Sequence, residues 1–277
     1  MKTIGIINPG AMGASVAAAA AGNGHRVIWA GSGRSAASHE RANQAGLVDC
    51  ETVATMAADA DIIVSVCPPD RATEVAIEVI EAGFGGTFVD ANAISPNRAR
   101  SIGEIVASRG GRFVDGGIIG GPAWKPEFGT VLHLSGGGSQ SVAGLFSDSP
   151  LHTNVVGAEV GAASALKMVY AAYTKGSTAL LTAILGVAER EGVRADLEAQ
   201  WGDEFTAQTH KRVTANTAKA WRFVGEMEEI AATFAGADVS DGFHLAAADT
   251  FARLSKFKDT GTPSIEDVVT MLLNRGK

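Results

Sequence analysis

Two stretches of the chain carry residues whose types and spacing can do chemistry. The first is Ile4-Gly5-Ile6-Ile7-Asn8-Pro9-Gly10-Ala11-Met12-Gly13, an apolar run that breaks into a glycine turn and continues as an alanine-rich segment. In a strand–turn–helix unit that binds a dinucleotide, one glycine lets the backbone approach the pyrophosphate. Another, three residues on, lets helix and strand pack closely, and the first N–H groups of the helix face the anion. Gly10 and Gly13 take those two places, with Ala11 and Met12 between them. The first turn position, usually glycine, is held by Asn8, which tolerates a left-handed backbone better than other side chains. The spacing predicts a dinucleotide site, against the plain alternative of an ordinary strand-to-helix turn. The second stretch surrounds Lys167, an ammonium in an otherwise apolar helical segment. Burial there lowers a lysine pKa toward the range useful for proton transfer. The plain alternative is a lysine that reaches out to solvent.

The choice of dinucleotide is read after the second strand. NAD sites usually place Asp or Glu there for the ribose 2′-hydroxyl, whereas this chain runs Ile28-Trp29-Ala30-Gly31-Ser32-Gly33-Arg34-Ser35, with no carboxylate before Glu40. Arg34 with Ser32 and Ser35 predicts charge-assisted bonds to a 2′-phosphate, hence NADP(H) in preference to NAD(H). The alternative is a solvated Arg34 in the first turn of the second helix.

These residues need a frame. The chain has 277 residues, enough for two domains of ordinary size, with 46% hydrophobic and 19% charged residues, a composition that supports a packed core. A formal net charge of −7 has the wrong sign for neutralising nucleic-acid phosphates, so no nucleic-acid partner is expected. Two cysteines, Cys50 and Cys67, form neither a metal cage nor a disulfide framework, which fits a reducing cytoplasm and no metal. No export signal is read at the start, and the apolar stretch Ser177 to Ala188 is shorter than a membrane span. Strands are expected at Thr3 to Asn8, Arg26 to Ala30, Asp61 to Val66, Gly86 to Asp90, Arg112 to Asp115, Thr130 to Ser135 and Thr153 to Val156. Helices are expected to start at Ala14, Ser35, Val53, Arg71 and Asn97 between them. That alternation implies an α/β domain with a parallel sheet over 1–157. From 158 to 277 only helices are expected: one long helix over Val160 to Glu191, then Ala195 to Gly202, Phe205 to Phe223, Gly225 to Ala235, Asp241 to Lys258, and a last from Ser264. The apolar positions Leu180, Leu181, Ile184 and Leu185 on the long helix predict a homodimer.

Further motifs follow the glycine turn in order: Val66-Cys67-Pro68-Pro69 at a strand end, Asp90-Ala91-Asn92 at the next, Asp115-Gly116-Gly117-Ile118-Ile119-Gly120-Gly121, and Gly161 with Lys167 in a Gly-x5-Lys pattern. With the Gly10-Ala11-Met12-Gly13 ending, over roughly the first two thirds of the chain, they resemble the β-hydroxyacid dehydrogenase superfamily, which includes 3-hydroxyisobutyrate and 6-phosphogluconate dehydrogenases. The resemblance implies a Rossmann-type doubly wound parallel sheet followed by an all-α C-terminal domain that binds substrate and dimerises. It places the nicotinamide near Cys67, Pro68 and Asn92, a small-molecule substrate near Ile119, Gly120 and Gly121, and makes Lys167 the general acid/base. Ile119 stands where the family has serine, which points to a less polar substrate. Ala171 stands where the family has asparagine, and Tyr170, Tyr173 or Thr174 is expected to substitute, being three, six or seven residues beyond Lys167. Glu226-Met227-Glu228-Glu229 replaces a Lys-Asp pair of the family and reads as a solvated helix face. His244 is a candidate substrate contact if a partner subunit closes the cleft, against a plain helix histidine, and Cys67 reads as a strand-end residue, not a nucleophile. The implied activity is hydride transfer between NADP and a small hydroxy acid or its carbonyl. The alternatives are an imine reductase of the same fold and a non-catalytic NADP-binding sensor, since fold alone does not establish function. 6-Phosphogluconate itself is not the expected substrate, because members acting on it carry a larger helical domain.

Overall fold

β-branched runs form strands where expected. The computed structural model describes residues 1–258 and 260–274, and among these one sheet contains β1 (Thr3–Ile7), β2 (Arg26–Trp29), β3 (Val48–Asp49), β4 (Ile62–Ser65), β5 (Thr87–Asp90), β6 (Arg112–Ile119), β7 (Val131–Ser135) and β8 (His152–Gly157). Their order is β3-β2-β1-β4-β5-β6-β7-β8, parallel throughout except for the antiparallel pair β6–β7. This is the doubly wound order with its reversal between β1 and β4, the point at which such sheets bind ligands outside the carboxyl ends of their strands. Two features depart from expectation. β3 is too short to register as a strand pattern, and β6 runs on to Ile119 because Gly116 and Gly117, read as the start of a loop, pair with Leu134 and His133 of β7.

The alternation along each strand divides the core between the two faces. Ile4, Ile6, Val64, Val89, Val114 and Leu132 pack with α1 (Ala11–Gly22), α2 (Ala36–Gln44) and α6 (Ser139–Ala143). Ile7, Ile63, Phe88 and Phe113 pack on the other face with α3 (Val53–Asp59), α4 (Ala72–Glu81) and α5 (Pro96–Ser108). Helix α1 starts at Ala11, earlier than the expected Ala14, because Gly10 is its N-cap. Its buried face is Gly13, Ala14, Ser15, Val16, Ala17, Ala19 and Ala20, small side chains that let it lie close to the sheet.

The chain divides into compact units Met1–Met168 and Val169–Lys277, and the division falls within α7 (Ala162–Ala171). The single long helix expected over Val160 to Glu191 is instead α7, a π turn at Ala172–Gly176 and α8 (Ser177–Arg190). Then follow α9 (Arg194–Trp201), α10 (Asp203–Thr217), α11 (Ala220–Ala235), α12 (Gly242–Arg253) and α13 (Ile265–Leu273). The helix expected over Phe205 to Phe223 is broken at Ala218 and Lys219, and Phe223 joins Met227 and Ile230 on the buried stripe of α11. Helix α13 starts with a capping box between Ser264 and Asp267. Of the apolar positions assigned to an exposed face of α8, Leu185 is fully buried, while Leu180 and the unassigned Val187 are exposed. No helix among the described residues is long and apolar enough to cross a membrane.

Candidate active site

The glycine turn has the geometry its sequence predicts. Asn8 sits at φ 60, in the left-handed region, and its carbonyl accepts from Gly10 N at 2.7 Å. A Cβ on Gly13 would lie 2.6 Å from that carbonyl oxygen, so α1 packs on the turn more closely than any side chain permits. The N-cap of α1 supplies no side-chain bond, which leaves the N–H groups of its first turn, from Ala11 to Gly13, to an anion. Two arginines brace the turn: Arg34 Nη1 donates to Asn8 Oδ1 at 2.6 Å and Arg41 Nε donates to Pro9 O at 2.9 Å. Arg34 and Ser32, both exposed, border a cleft of about 350 Å3 with Ala30, Thr52, Glu51 and Glu78. Its two carboxylates come from later in the chain, where a search confined to the end of β2 does not reach. Asp49 Oδ1 folds this rim together by accepting from Gly31 N at 2.9 Å and Glu51 N at 2.8 Å. A dinucleotide fits this donor set: a bare backbone at the turn, a helix N-terminus behind it, and a guanidinium at the rim.

Beyond β4 and β5 the register places Ser65, Asp90, Asp115 and Ser135 in one row across four strands, all fully buried. Asn92 ties the ends of β4 and β5 together. Its Oδ1 accepts from Cys67 N at 2.6 Å, its Nδ2 donates to Ser65 Oγ at 3.1 Å and Asp90 Oδ2 at 3.0 Å, and its backbone N–H donates to Asp90 Oδ1 at 2.9 Å. Asn92 is thus buried and engaged through its side chain, and it fixes the backbone of the Cys67-Pro68 corner. Burial pushes Asp90 up to about 7 despite the bonds from Asn92. Burial likewise pushes the Cys67 thiol up to about 12, so it stays protonated at neutral pH.

Asp115 is the anchor of the next corner. Its Oδ2 accepts from Ser135 Oγ at 2.8 Å, Gly161 N at 2.9 Å and Ser164 N at 3.1 Å, and its Oδ1 from Ser164 Oγ at 2.5 Å. A strand carboxylate therefore caps the N-terminus of α7, where negative charge also complements the helix dipole. One turn further along α7 comes Lys167, half-buried, its stem lying on Gly117: a Cβ there would be 2.9 Å from Lys167 Cβ and 2.7 Å from Ala163 O. Ile119, half-buried, pairs with Val131, and exposed Gly120 and Gly121 open the loop to β7. That loop is held by Thr130 Oγ1, which donates to Gly121 O at 2.7 Å, and by Ala123 N, which donates to Ser15 Oγ of α1 at 2.9 Å.

The structure thus brings Asn8 to Gly13, Cys67, Pro68, Asn92, Ile119 to Gly121 and Lys167 to the carboxyl edge of one sheet, within one unit. Tyr170, Thr174 and His244 belong to the helical unit. Tyr170 is exposed, and Thr174 lies inside the π turn, its Oγ1 donating to Tyr170 O at 3.2 Å. The seven-residue spacing from Lys167 to Thr174 presumes an unbroken α-helix, and the π turn shifts that phase. His244 is buried between Phe234 and Phe243, and its Nδ1 has no hydrogen-bond partner among the described residues. The acidic run on α11 is not a solvated face: Glu226 pairs with Lys175, Met227 and Glu229 are buried, and only Glu228 of the four is exposed. The amphipathic stripe of α11 turns those positions inward. Asp115, Ser135 and Ser164 were not among the sequence candidates, because their partnership spans 49 residues and no local pattern signals it.

A family model described as the NAD binding domain of 6-phosphogluconate dehydrogenase matches residues 3–146, and a domain of unknown function, DUF1932, matches residues 185–254. An uncharacterised 28.5 kDa protein of Methanothermus fervidus, from the 7S RNA 5′ region, is 27% identical over 202 residues, covering 72% of this chain and 77% of its own. The 3-hydroxyisobutyrate dehydrogenase of Mycobacterium tuberculosis, solved with L-serine, superposes with a TM-score of 0.70 at 19% identity over 99% of this chain and 100% of its own. A reductive aminase from Aspergillus terreus, solved with NADPH4, cyclohexanone and allyl amine, gives 0.58 at 18% identity over 97% and 98%. At these identities the two solved structures share the fold.

Proposed function

The chain belongs to the family of the NAD binding domain of 6-phosphogluconate dehydrogenase, a nicotinamide-dependent dehydrogenase or reductase, and on that premise we propose that it is NADP-dependent and acts on a small hydroxy acid or the matching carbonyl, with Lys167 as general acid/base. The observation that carries this is the position of Lys167: its stem lies on the bare Gly117 of β6, at the carboxyl edge that also holds the Asn8–Gly13 turn. When bound, the dinucleotide supplies the hydride acceptor or donor. Gly10, Gly13 and the first turn of α1 hold its pyrophosphate, Arg34 and Ser32 its 2′-phosphate, and the Cys67-Pro68 corner, set by Asn92, lines the nicotinamide. Lys167 Nζ takes the substrate hydroxyl proton as hydride leaves the carbon, and returns it in reverse. Ile119, Gly120 and Gly121 bound the substrate in the sheet unit. The apolar groove of about 380 Å3 along Ala183, Ile184, Val187 and Val193 supports a homodimer through α8.

Titration with NADPH and NADH, followed by nicotinamide fluorescence, tests the cofactor half. NADPH is expected to bind more tightly, and Arg34→Ala, which also releases Asn8 Oδ1, to weaken NADPH by about 10- to 100-fold more than NADH, the worth of a charge-assisted bond. Equal losses remove the Arg34 assignment. The chemical half is tested by a screen of hydroxy acids, aldehydes and imines with Lys167→Ala as control, in which turnover drops roughly 10²- to 10⁴-fold at unchanged cofactor affinity. Apolar Ile119 at the substrate loop favours one second reading, hydride transfer to an imine carbon, which that screen separates. Cofactor binding with no turnover on any class supports the sensor reading.

A further inference from the structure

The corner that holds Lys167 contains an imidazole that no motif marked. His133 of β7 lies directly opposite Gly117 of β6 and beside Asn154 of β8. Residues opposite one another in neighbouring strands share a face of the sheet. On this face Gly117 is bare and touches the stem of Lys167. The row Gly117–His133–Asn154 therefore runs beneath the lysine, two residues past the buried row of Asp90, Asp115 and Ser135 and level with Asn92 at the carboxyl edge. Nearer the loop the same face is apolar, at Ile119 and Val131. His133 is half-buried, and its Nδ1 lies 3.2 Å from Asn154 Nδ2. An amide nitrogen can only donate, so Nδ1 accepts and the ring carries its proton on Nε2.

We propose that His133 is a further catalytic residue, whose neutral imidazole donates an Nε2–H hydrogen bond to the substrate oxygen that exchanges its proton with Lys167. The inference rests on the Lys167 reading and sharpens its substrate class. A hydroxyl or carbonyl oxygen has a lone pair for this donor, whereas a protonated imine has none. Burial first, and then the Lys167 ammonium, hold the His133 pKa below its ordinary 6.5, which keeps the ring neutral at pH 7. The groups that face it are Lys167 from α7, Asn154 from β8 and, two residues along β6, Asp115, whose oxygens are taken by Ser135, Gly161 and Ser164. In oxidation the hydroxyl proton would pass to the neutral amine form of Lys167 as hydride leaves the carbon, a bound nicotinamide supplying the hydride acceptor, and the new carbonyl oxygen would keep its bond to Nε2–H. His133 gains and loses no proton in either direction.

NMR of the protein labelled with 15N-histidine, with NADPH bound, tests this without a known substrate, the His133 signal being assigned by its loss in His133→Gln. The expected result is a proton on Nε2, a midpoint below that of an ordinary histidine, and a rise of that midpoint in Lys167→Met. A proton on Nδ1, or an ordinary midpoint indifferent to Lys167→Met, overturns the proposal. On a hydroxy acid or carbonyl that turns over, His133→Leu should lower kcat by about 100-fold with KM little changed. His133→Gln, which keeps an N–H donor, should recover most of that loss. Equal losses in both variants, or none in His133→Leu, overturn it as well. Turnover that survives in Lys167→Met instead discards the Lys167 reading, and leaves the tautomer and midpoint of His133 as found.

Discussion

The sheet unit and the helical unit handle buried polar groups in different ways. In the sheet unit, strand register fixes which side chains are neighbours, and the polar row Ser65, Asp90, Asp115 and Ser135 is linked to the loops and helix that follow it. Asp115 alone accepts four hydrogen bonds and so joins β6, β7 and the start of α7. In the helical unit, partners depend on what long side chains reach. Arg212 donates to Thr174 O at 2.7 Å, Thr178 Oγ1 at 2.8 Å and Ser177 Oγ at 2.5 Å, and Lys175 meets Glu226 and the ring of Phe223. His244, packed against two aromatic rings, has no partner for Nδ1 among the described residues. Backbone ladders impose satisfaction on side chains in a way that packed helices do not.

The comparison breaks most visibly at Asp115. Asp115→Asn puts an amide N–H against donors already aimed at the carboxylate, and is expected to cost about 3–5 kcal/mol by thermal or urea unfolding. A loss near zero would mean that the row is not a shared anchor. A smaller effect is expected at His244. Its pKa is lowered by burial, so both states are neutral above about 6.5, and below that the unfolded chain takes up a proton that the folded ring resists. The His244 contribution to stability should therefore fall as pH drops from 7 to 5, so stability in His244→Phe should fall less, or rise more, over that window than in the parent. His25 and His133, shifted in the same direction, add to that loss, whereas Asp90, raised to about 7 by burial, opposes it, because the folded chain takes up its proton before the unfolded one. An unchanged slope in His244→Phe would show that the ring is hydrated or partnered in solution.

The same contrast governs what was legible in the sequence. Strand positions and the Asn8–Gly13 turn are local patterns, and the left-handed Asn8 and the close approach at Gly13 follow from them. The pairing of Gly116 and Gly117 into β6 was hidden because glycines resemble loop and the β7 partner is distant in sequence. The cap of α7 comes from Asp115, so no Ser, Thr, Asp or Asn at the helix start announces it. The π turn at Ala172–Gly176 is equally silent in the sequence, and it shifts the helical phase between Lys167 and Thr174. Glu226 and Glu229 read as surface because acidic runs usually are, whereas the partner of Glu226, Lys175, lies 51 residues earlier. His133 passed unnoticed for the same reason as Asp115: only register brings it to the lysine.

The two outer strands of the sheet bear on solubility. An edge strand offers unpaired N–H and C=O groups that can recruit a foreign strand and seed aggregation. On one side that template is β3, only two residues long, which is too short to hold an incoming chain. On the other, β8 carries exposed His152 and Asn154 and ends at Gly157, and its pairing with β7 is irregular between Leu134 and Ser135. Polar side chains and a local kink at a free edge disfavour continued pairing. Lengthening β3 with β-branched residues would remove the first of these safeguards and leave every residue of the reaction corner untouched.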